Sequence, residues 1–241
     1  MGIAFAPYFG ERVWLILFIQ SFTYFSFLIH PFTRSSNSGK SHICRSILNH
    51  MDTALSFVPS KIYYVTPFLQ EEMKPFKEKG VQFYHSWSHP ELKLSQLKKE
   101  KYLMLIIDDF CYSDQLLERQ LIRWSVLHLT HHLGWLLIVI THSLFSKSLE
   151  FNREISLNAG VFVVPISRRA YSMIEFFSRQ LPDGKRLKEA YAHLANSNLQ
   201  GHPHIIIDCR KTVPPKYSIR SNITKEYGPC IIYYPKNPLN Y

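Results

Sequence analysis

The chain has little that would staple, fragment or disorder it. Its four cysteines (Cys44, Cys111, Cys209 and Cys230) include no C-x-x-C pair. A disulfide framework is not expected in a chain of this size, and a reducing compartment fits. Nine glycines and 14 prolines are too few to signal disorder. No internal repeat and no low-complexity segment occurs. Negative charge is scarce: 18 Asp and Glu stand against 28 Lys and Arg, for a formal net charge of +10. That deficit favours an anionic partner such as phosphate, nucleic acid or a membrane surface. A plain basic soluble protein would show the same balance.

Residues 13–32 (VWLILFIQSFTYFSFLIHPF) lack Asp, Glu, Lys and Arg altogether. The stretch is long enough to span a bilayer. Gln20, Ser21, Thr23, Tyr24, Ser26 and His30 dilute it, and the flank carries Glu11 and Arg12 rather than a basic cluster. No small-residue cleavage site stands out. The competing reading is a buried strand or hairpin leading into the loop that follows. Ala6 stands where N-myristoylation requires Ser or Thr. Asn222-Ile223-Thr224 forms a glycosylation sequon, a triplet frequent by chance.

What is present reads as an α/β domain. Hydrophobic residues make up 46% of the 241, enough for a sizeable core. The pattern predicts a strand over 25–29, ended by His30-Pro31. A helix is predicted over 40–57, with Ile43, Ile47, Met51 and Leu55 on one face. Strands follow at 61–66 and 81–84, flanking a charged surface helix over 67–79. Residues 86–101 read as a loop or exposed helix. Three apolar runs, 102–107 (YLMLII), 135–141 (WLLIVIT) and 161–166 (VFVVPI), have the length and continuity of buried parallel strands. Helices are predicted over 116–129, 169–180 and 185–196, and a last strand over 204–208. Alternation of strand and helix predicts a mainly parallel central sheet covered on both faces, a three-layer α/β sandwich.

The chemistry concentrates at Gly39-Lys40-Ser41. A phosphate-binding loop wraps backbone N–H groups around phosphate oxygens at a helix N-terminus, where the helix dipole favours an anion. Gly39 allows close backbone approach, Lys40 reaches the β and γ phosphates, and Ser41 ligates Mg²⁺. The full pattern is G-x-x-x-x-G-K-[ST], and Arg34 occupies its first glycine position. The apolar run before Asp108-Asp109 supplies the acidic partner. Asp108 would hold Mg²⁺, and Asp109 would polarise the attacking water. The bland alternative is a pair of solvated turn carboxylates.

Thr141-His142-Ser143 ends the next strand, where a polar tip can reach the γ-phosphate or serve as a helix N-cap. Arg153, Arg168 and Arg169 are candidates for an arginine finger, though surface roles are commoner. His128 and His131-His132 lack a partner ligand at metal spacing, and His202, His204 and Cys209 form a weaker cluster still.

These residues together resemble the FtsK/HerA-type DNA-packaging ATPases of Polinton (Maverick) elements and adintovirus-like viruses, a branch of the P-loop NTPases. The resemblance runs from about residue 28 to 210. It is carried by His30-Pro31-Phe32-Thr33, by Asn37-Ser38-Gly39-Lys40-Ser41, by the Asp108-Asp109 strand, and most strongly by residues 131–180. Within that segment His131-His132, residues 153–158 (REISLN) and Arg179-Gln180 fall in the family's order.

The resemblance implies a P-loop NTPase three-layer sandwich that binds ATP and Mg²⁺. Ser36, Asn37, Ser38, Gly39, Lys40, Ser41 and His42 would form the nucleotide loop, with Ser41 and Asp108 at the metal. Lys40, Asp109, His142 and Arg153 would be catalytic. It also implies double-stranded DNA as partner, a homo-oligomeric ring, a capsid or portal protein nearby, and a place in the nucleus, the cytoplasm or a virion. The domain would then occupy 28–210, with 1–27 unassigned and 211–241 an irregular tail.

Several positions depart from the family. Arg34-Ser35-Ser36 replaces a short apolar stretch and a Gly-Pro, His142-Ser143 replaces Gln-Asn, and Arg168-Arg169 stands where Arg-Asp is usual. These departures raise a second reading, a degenerate or domesticated copy that binds nucleotide or nucleic acid with little hydrolysis. A third is a membrane-anchored P-loop protein.

Overall fold

The computed structural model describes residues 14–18, 39–55, 58–86, 89–108, 133, 135–141, 159–167, 170–197, 201–211 and 213–234, with backbone alone at 14–18, 40, 94, 141 and 225. One eight-stranded sheet organises them. Its strands are β1 (Trp14–Phe18), β2 (Lys61–Val65), β3 (Val81–Tyr84), β4 (Leu103–Asp108), β5 (Leu136–Thr141), β6 (Val161–Pro165), β7 (His204–Asp208) and β8 (Ile219–Ser221). Their spatial order is β3-β2-β4-β5-β1-β6-β7-β8. The first six run parallel, β7 is antiparallel to β6, and β8 is antiparallel to β7. The α/β class and the mainly parallel central sheet expected from the sequence are present.

All six residues of β4 are buried, as are all five of β6. A strand covered on both faces cannot alternate polar with apolar, so it reads as a continuous run. One face packs Ile62, Tyr64, Met104, Ile106, Ile138 and Ile140 against α1 (Lys40–Asn49). The other packs Val65, Leu105, Ile107, Val139, Phe162 and Val164 against α5 (Tyr171–Gln180) and α6 (Gly184–Asn196). Three layers result. Between α5 and α6, Gly184 approaches the Ser178 carbonyl so closely that no Cβ fits there.

The short helices are α2 (Met51–Ala54), α3 (Pro75–Glu78) and α4 (Leu94–Leu97). The single helix expected over 40–57 is thus interrupted at His50, and Ile43 and Ile47 carry most of its buried face. The expected helix over 67–79 becomes a 3₁₀ turn and α3. Pro75 is the cause: it lacks an amide donor and opens a helix rather than continuing one.

The sheet is also wider than expected at both ends of the chain. Trp14–Phe18 lies in the segment left unassigned, yet it pairs with β5 on one side and β6 on the other. The strand expected over 25–29 lies outside the described residues, as does the helix over 116–129. Residues 211–241 are not wholly an irregular tail, because Ile219–Ser221 forms an edge strand on β7 and Arg220 bridges to Ile232. Among the described residues no helix is long and apolar enough to cross a membrane.

Candidate phosphate-binding site

Parallel strands point their carboxyl ends to one edge, and ligand groups gather there. The described part of the site lies at that edge, between the start of α1 and the end of β4. Gly39 is the N-cap of α1, with φ of 77° in the left-handed region that favours glycine. Its carbonyl accepts the first helical hydrogen bond, from the Ile43 amide at 2.9 Å. Among the described residues no side chain caps the helix, and its first turn contains no acidic residue. The orphan amides of that turn and the positive end of the helix dipole are therefore available to an anion from outside.

Cations add to this end instead of balancing it. Lys40 is the first helical residue. Arg45 Nη2 donates to His42 Nδ1 at 2.9 Å. A guanidinium only donates, so Nδ1 accepts and the imidazole proton sits on Nε2. The His42 ring stacks on His202, with centroids 4.5 Å apart and planes at 28°. Burial lowers the pKa of His202, and the neighbouring His42 and Arg45 push it the same way. A lysine at the positive end of a helix, with an arginine side chain reaching back to His42, favours an anion there.

Asp108 closes β4 and is buried. Tyr64, the fourth of the five residues of β2, donates its hydroxyl to Asp108 Oδ2 at 2.7 Å. Cys44 completes this corner. Burial raises its thiol pKa, the Asp108 charge raises it further, and a hydrogen bond with Tyr64 opposes them. The residue is thus a protonated, structural cysteine. Cys44 follows Ser41 by three positions, so the two share a face of α1. Ser41 is half-buried and lies one turn nearer the helix start. Hydroxyl and carboxylate oxygens are the donor types that Mg²⁺ prefers, so the chemistry of Ser41 and Asp108 suits that ion.

Removing the Tyr64 hydroxyl should be measurable. Tyr64→Phe deletes a buried hydrogen bond while keeping the ring, and should lower unfolding stability by about 1.5 kcal/mol. Urea denaturation reads this directly, and an unchanged midpoint would show the bond to be energetically idle.

The sequence-predicted residues are thus partly assembled. Gly39, Ser41, His42 and Asp108, with the backbone of Lys40, come to one edge. Ser36, Asn37, Ser38, Asp109, His142 and Arg153 lie outside the described residues, as do His128, His131, His132, Arg168 and Arg169. β5 lies between β4 and β1, and Asp108 pairs with Ile140 in register. The cluster of His202, His204 and Cys209 does not form a metal site. His204 pairs with Pro165 at the carboxyl edge, whereas Asp208, just before Cys209, pairs with Val161 at the opposite end of the same strands. Among the described residues no group of three or more His, Cys, Asp or Glu could hold a metal.

Three residues escaped the sequence reading, Tyr64, Arg45 and Tyr227, and His202 entered it only as part of a weak metal cluster. Strand alternation sends Tyr64, not Tyr63, to the α1 face, and a buried tyrosine needs a hydroxyl partner. That signal was available. Tyr227 donates its hydroxyl to the His42 carbonyl at 2.8 Å, across 185 positions, and no local pattern announces it.

No protein-family model matches the sequence, and no curated protein matches it. Among solved structures the chain is similar to the genome packaging NTPase B204 of Sulfolobus turreted icosahedral virus 2. Against its complex with sulfate the identity is 14%, the TM-score 0.47, and the match covers 88% of this chain and 96% of that one. Against its complex with ATP-gammaS the identity is 15% and the TM-score 0.48, with the same coverage.

Proposed function

We propose that the chain is a P-loop ATPase of the DNA-packaging kind, binding ATP and Mg²⁺ at the start of α1 and coupling hydrolysis to movement of double-stranded DNA. One observation carries the nucleotide part. A helix N-terminus that no described side chain caps, opening on Lys40 with Arg45 further along and no acid in its first turn, stands beside the buried carboxylate of Asp108. That arrangement is unfavourable empty and favourable around a polyphosphate with its cation. The resemblance of residues 131–180 to Polinton and adintovirus-like packaging ATPases supports the motor part. The net charge of +10 suits a DNA backbone, and binding should weaken steeply with salt.

In this reading the amides from Ser36 to His42 cradle the phosphates, and Lys40 neutralises their charge. Ser41 and Asp108 hold Mg²⁺, which supplies charge neutralisation on the phosphate oxygens. Asp109 orients the attacking water, and His142 contacts that water or the terminal phosphate. Arg153 reaches a neighbouring subunit of a ring as the finger, and a capsid or portal protein would anchor that ring. ATP hydrolysis measured with and without double-stranded DNA tests the proposal, with Lys40→Ala and Asp109→Asn beside the parent. DNA-stimulated turnover in the parent alone is the expected result. Equal background rates in all three proteins would sink the motor.

A second reading is favoured by Arg34 at the first glycine position of the loop. A side chain there makes the tight phosphate-hugging turn harder to form. In that case the chain is a degenerate or domesticated relative that binds nucleotide without hydrolysing it. ATP binding that depends on Lys40, with no turnover above background, would select it.

A further inference from the structure

We propose that His202 is a positioning residue for the phosphate loop, holding Gly39 and the first turn of α1 in their binding geometry. The proposal rests on the phosphate-loop reading above. Its starting point is a contact: a Cβ built on Gly39 would lie 2.8 Å from His202 Nδ1 and 2.9 Å from its Cβ and Cγ. The imidazole therefore fills the space over the glycine. The same ring stacks on His42, three residues along, so one side chain braces both ends of the Gly39-Lys40-Ser41-His42 turn.

His202 is itself held from behind. Its carbonyl accepts from His204 Nδ1 at 3.1 Å. His204 is fully buried, and its Nε2 accepts the Ile223 amide at 2.8 Å. The His204 amide donates to Asn222 Oδ1 at 3.1 Å. Tyr227 packs edge-on against both His202 and His204 and bonds the His42 carbonyl. His202, His204, Asn222, Ile223 and Tyr227 thus form a back wall whose foremost group is the His202 ring.

A phosphate loop works because its amides are fixed before the ligand arrives, which removes an ordering cost from binding. A first glycine that shapes the loop's tight entry is absent here, since Arg34 stands in its place. The ring of His202 supplies a brace from outside the loop. The contact that matters is shape and stacking rather than a proton, so a phenyl ring should serve nearly as well.

The test titrates Mg²⁺ and ATPγS into the parent, Lys40→Ala, His202→Ala and His202→Phe by calorimetry. His202→Ala should bind about tenfold more weakly or worse, and His202→Phe should stay within about threefold of the parent. Parent-like affinity in His202→Ala would overturn the brace while leaving the phosphate loop standing. A His202→Phe as weak as His202→Ala would overturn it too, because stacking would not be the operative contact. If Lys40→Ala and the parent bind alike, the loop reading fails and the brace fails with it.

A second measurement needs no nucleotide. Gly39→Ala should lower the melting temperature less in a His202→Ala background than in the parent, because deleting the ring opens the space the new methyl needs. Equal decrements in the two backgrounds would show that the ring does not press on the glycine, and would overturn the brace.

Discussion

Gly39→Ala is expected to cost about 2–3 kcal/mol of stability and to weaken ATPγS binding by about a hundredfold or more. Two independent penalties act at this one atom. The backbone sits at φ of 77°, where an L-residue pays for the closeness of Cβ to the backbone. The new Cβ also meets the His202 ring at 2.8–2.9 Å, inside any normal contact distance. The ring cannot simply swing away, because His42 stacks on one face and Tyr227 closes one edge. Either the ring or the first turn of α1 must shift. A shift in the turn moves the amides that would grip phosphate, and small misplacements of such groups cost large factors in binding. Paired denaturation and calorimetric titrations measure both effects. Parent-like values in both would mean that the glycine is not held as described.

Acidification should expose the second large effect, at His204. Its side chain is fully buried, and burial is the main cause that lowers its pKa from 6.5 to about 4. The geometry explains why it stays neutral. Nε2 accepts the Ile223 amide, so Nδ1 carries the proton and donates it to the His202 carbonyl. A second proton on Nε2 would face an N–H donor with no acceptor.

The sign follows from which state binds the proton first. Above pH 6.5 the group is neutral in both states and has no effect on stability. Between 6.5 and 4 the unfolded chain takes up the proton and the folded chain does not. Stability then falls by about 1.4 kcal/mol per pH unit, levelling near 3 kcal/mol below pH 4. Other groups titrate in the same window, so the contrast with His204→Gln isolates this one. The parent should be more stable than the variant at pH 7.5, and the gap should close as pH falls to 4. A gap that stays constant with pH would remove His204 as the source.

Much of the frame was legible because its signals are local. β4, β5 and β6 are continuous apolar runs bounded by charge or turn residues, and two covered faces leave that mark. The start of α1 was legible from Gly39-Lys40-Ser41, where backbone freedom and positive charge coincide. The strand between β5 and β6 was harder. The sequence offers two apolar runs before the loop, residues 14–18 and 25–29, and nothing local assigns either to a place in the sheet. Trp14–Phe18 occupies the position between β5 and β6, and residues 25–29 lie outside the described residues.

β8 escaped for a different reason. It is three residues long and includes Arg220, so it has neither the length nor the alternation that marks a strand. Its arginine finds Asp208 on the neighbouring strand, at 2.8 Å, and that pairing exists only after the chain has folded back. The brace at His202 belongs to the same class. Its partners, Gly39 and His42, lie some 160 positions away in sequence, and a lone histidine after a glycine carries no mark of that contact.

The grip of residues 222–227 on α1 also sets an order of events during synthesis. Ser46 meets the Thr224 hydroxyl, and the His42 carbonyl meets Tyr227. α1 emerges from the ribosome well before the groups that lock its first turn. A nascent chain therefore carries its glycine-lysine-serine turn unbraced until residues 222–227 have also emerged. Chains that stall before Tyr227 would keep much of the sheet and lack the wall behind the turn, so the emergence of that late segment, rather than closure of the core, would be the moment the anion site becomes competent.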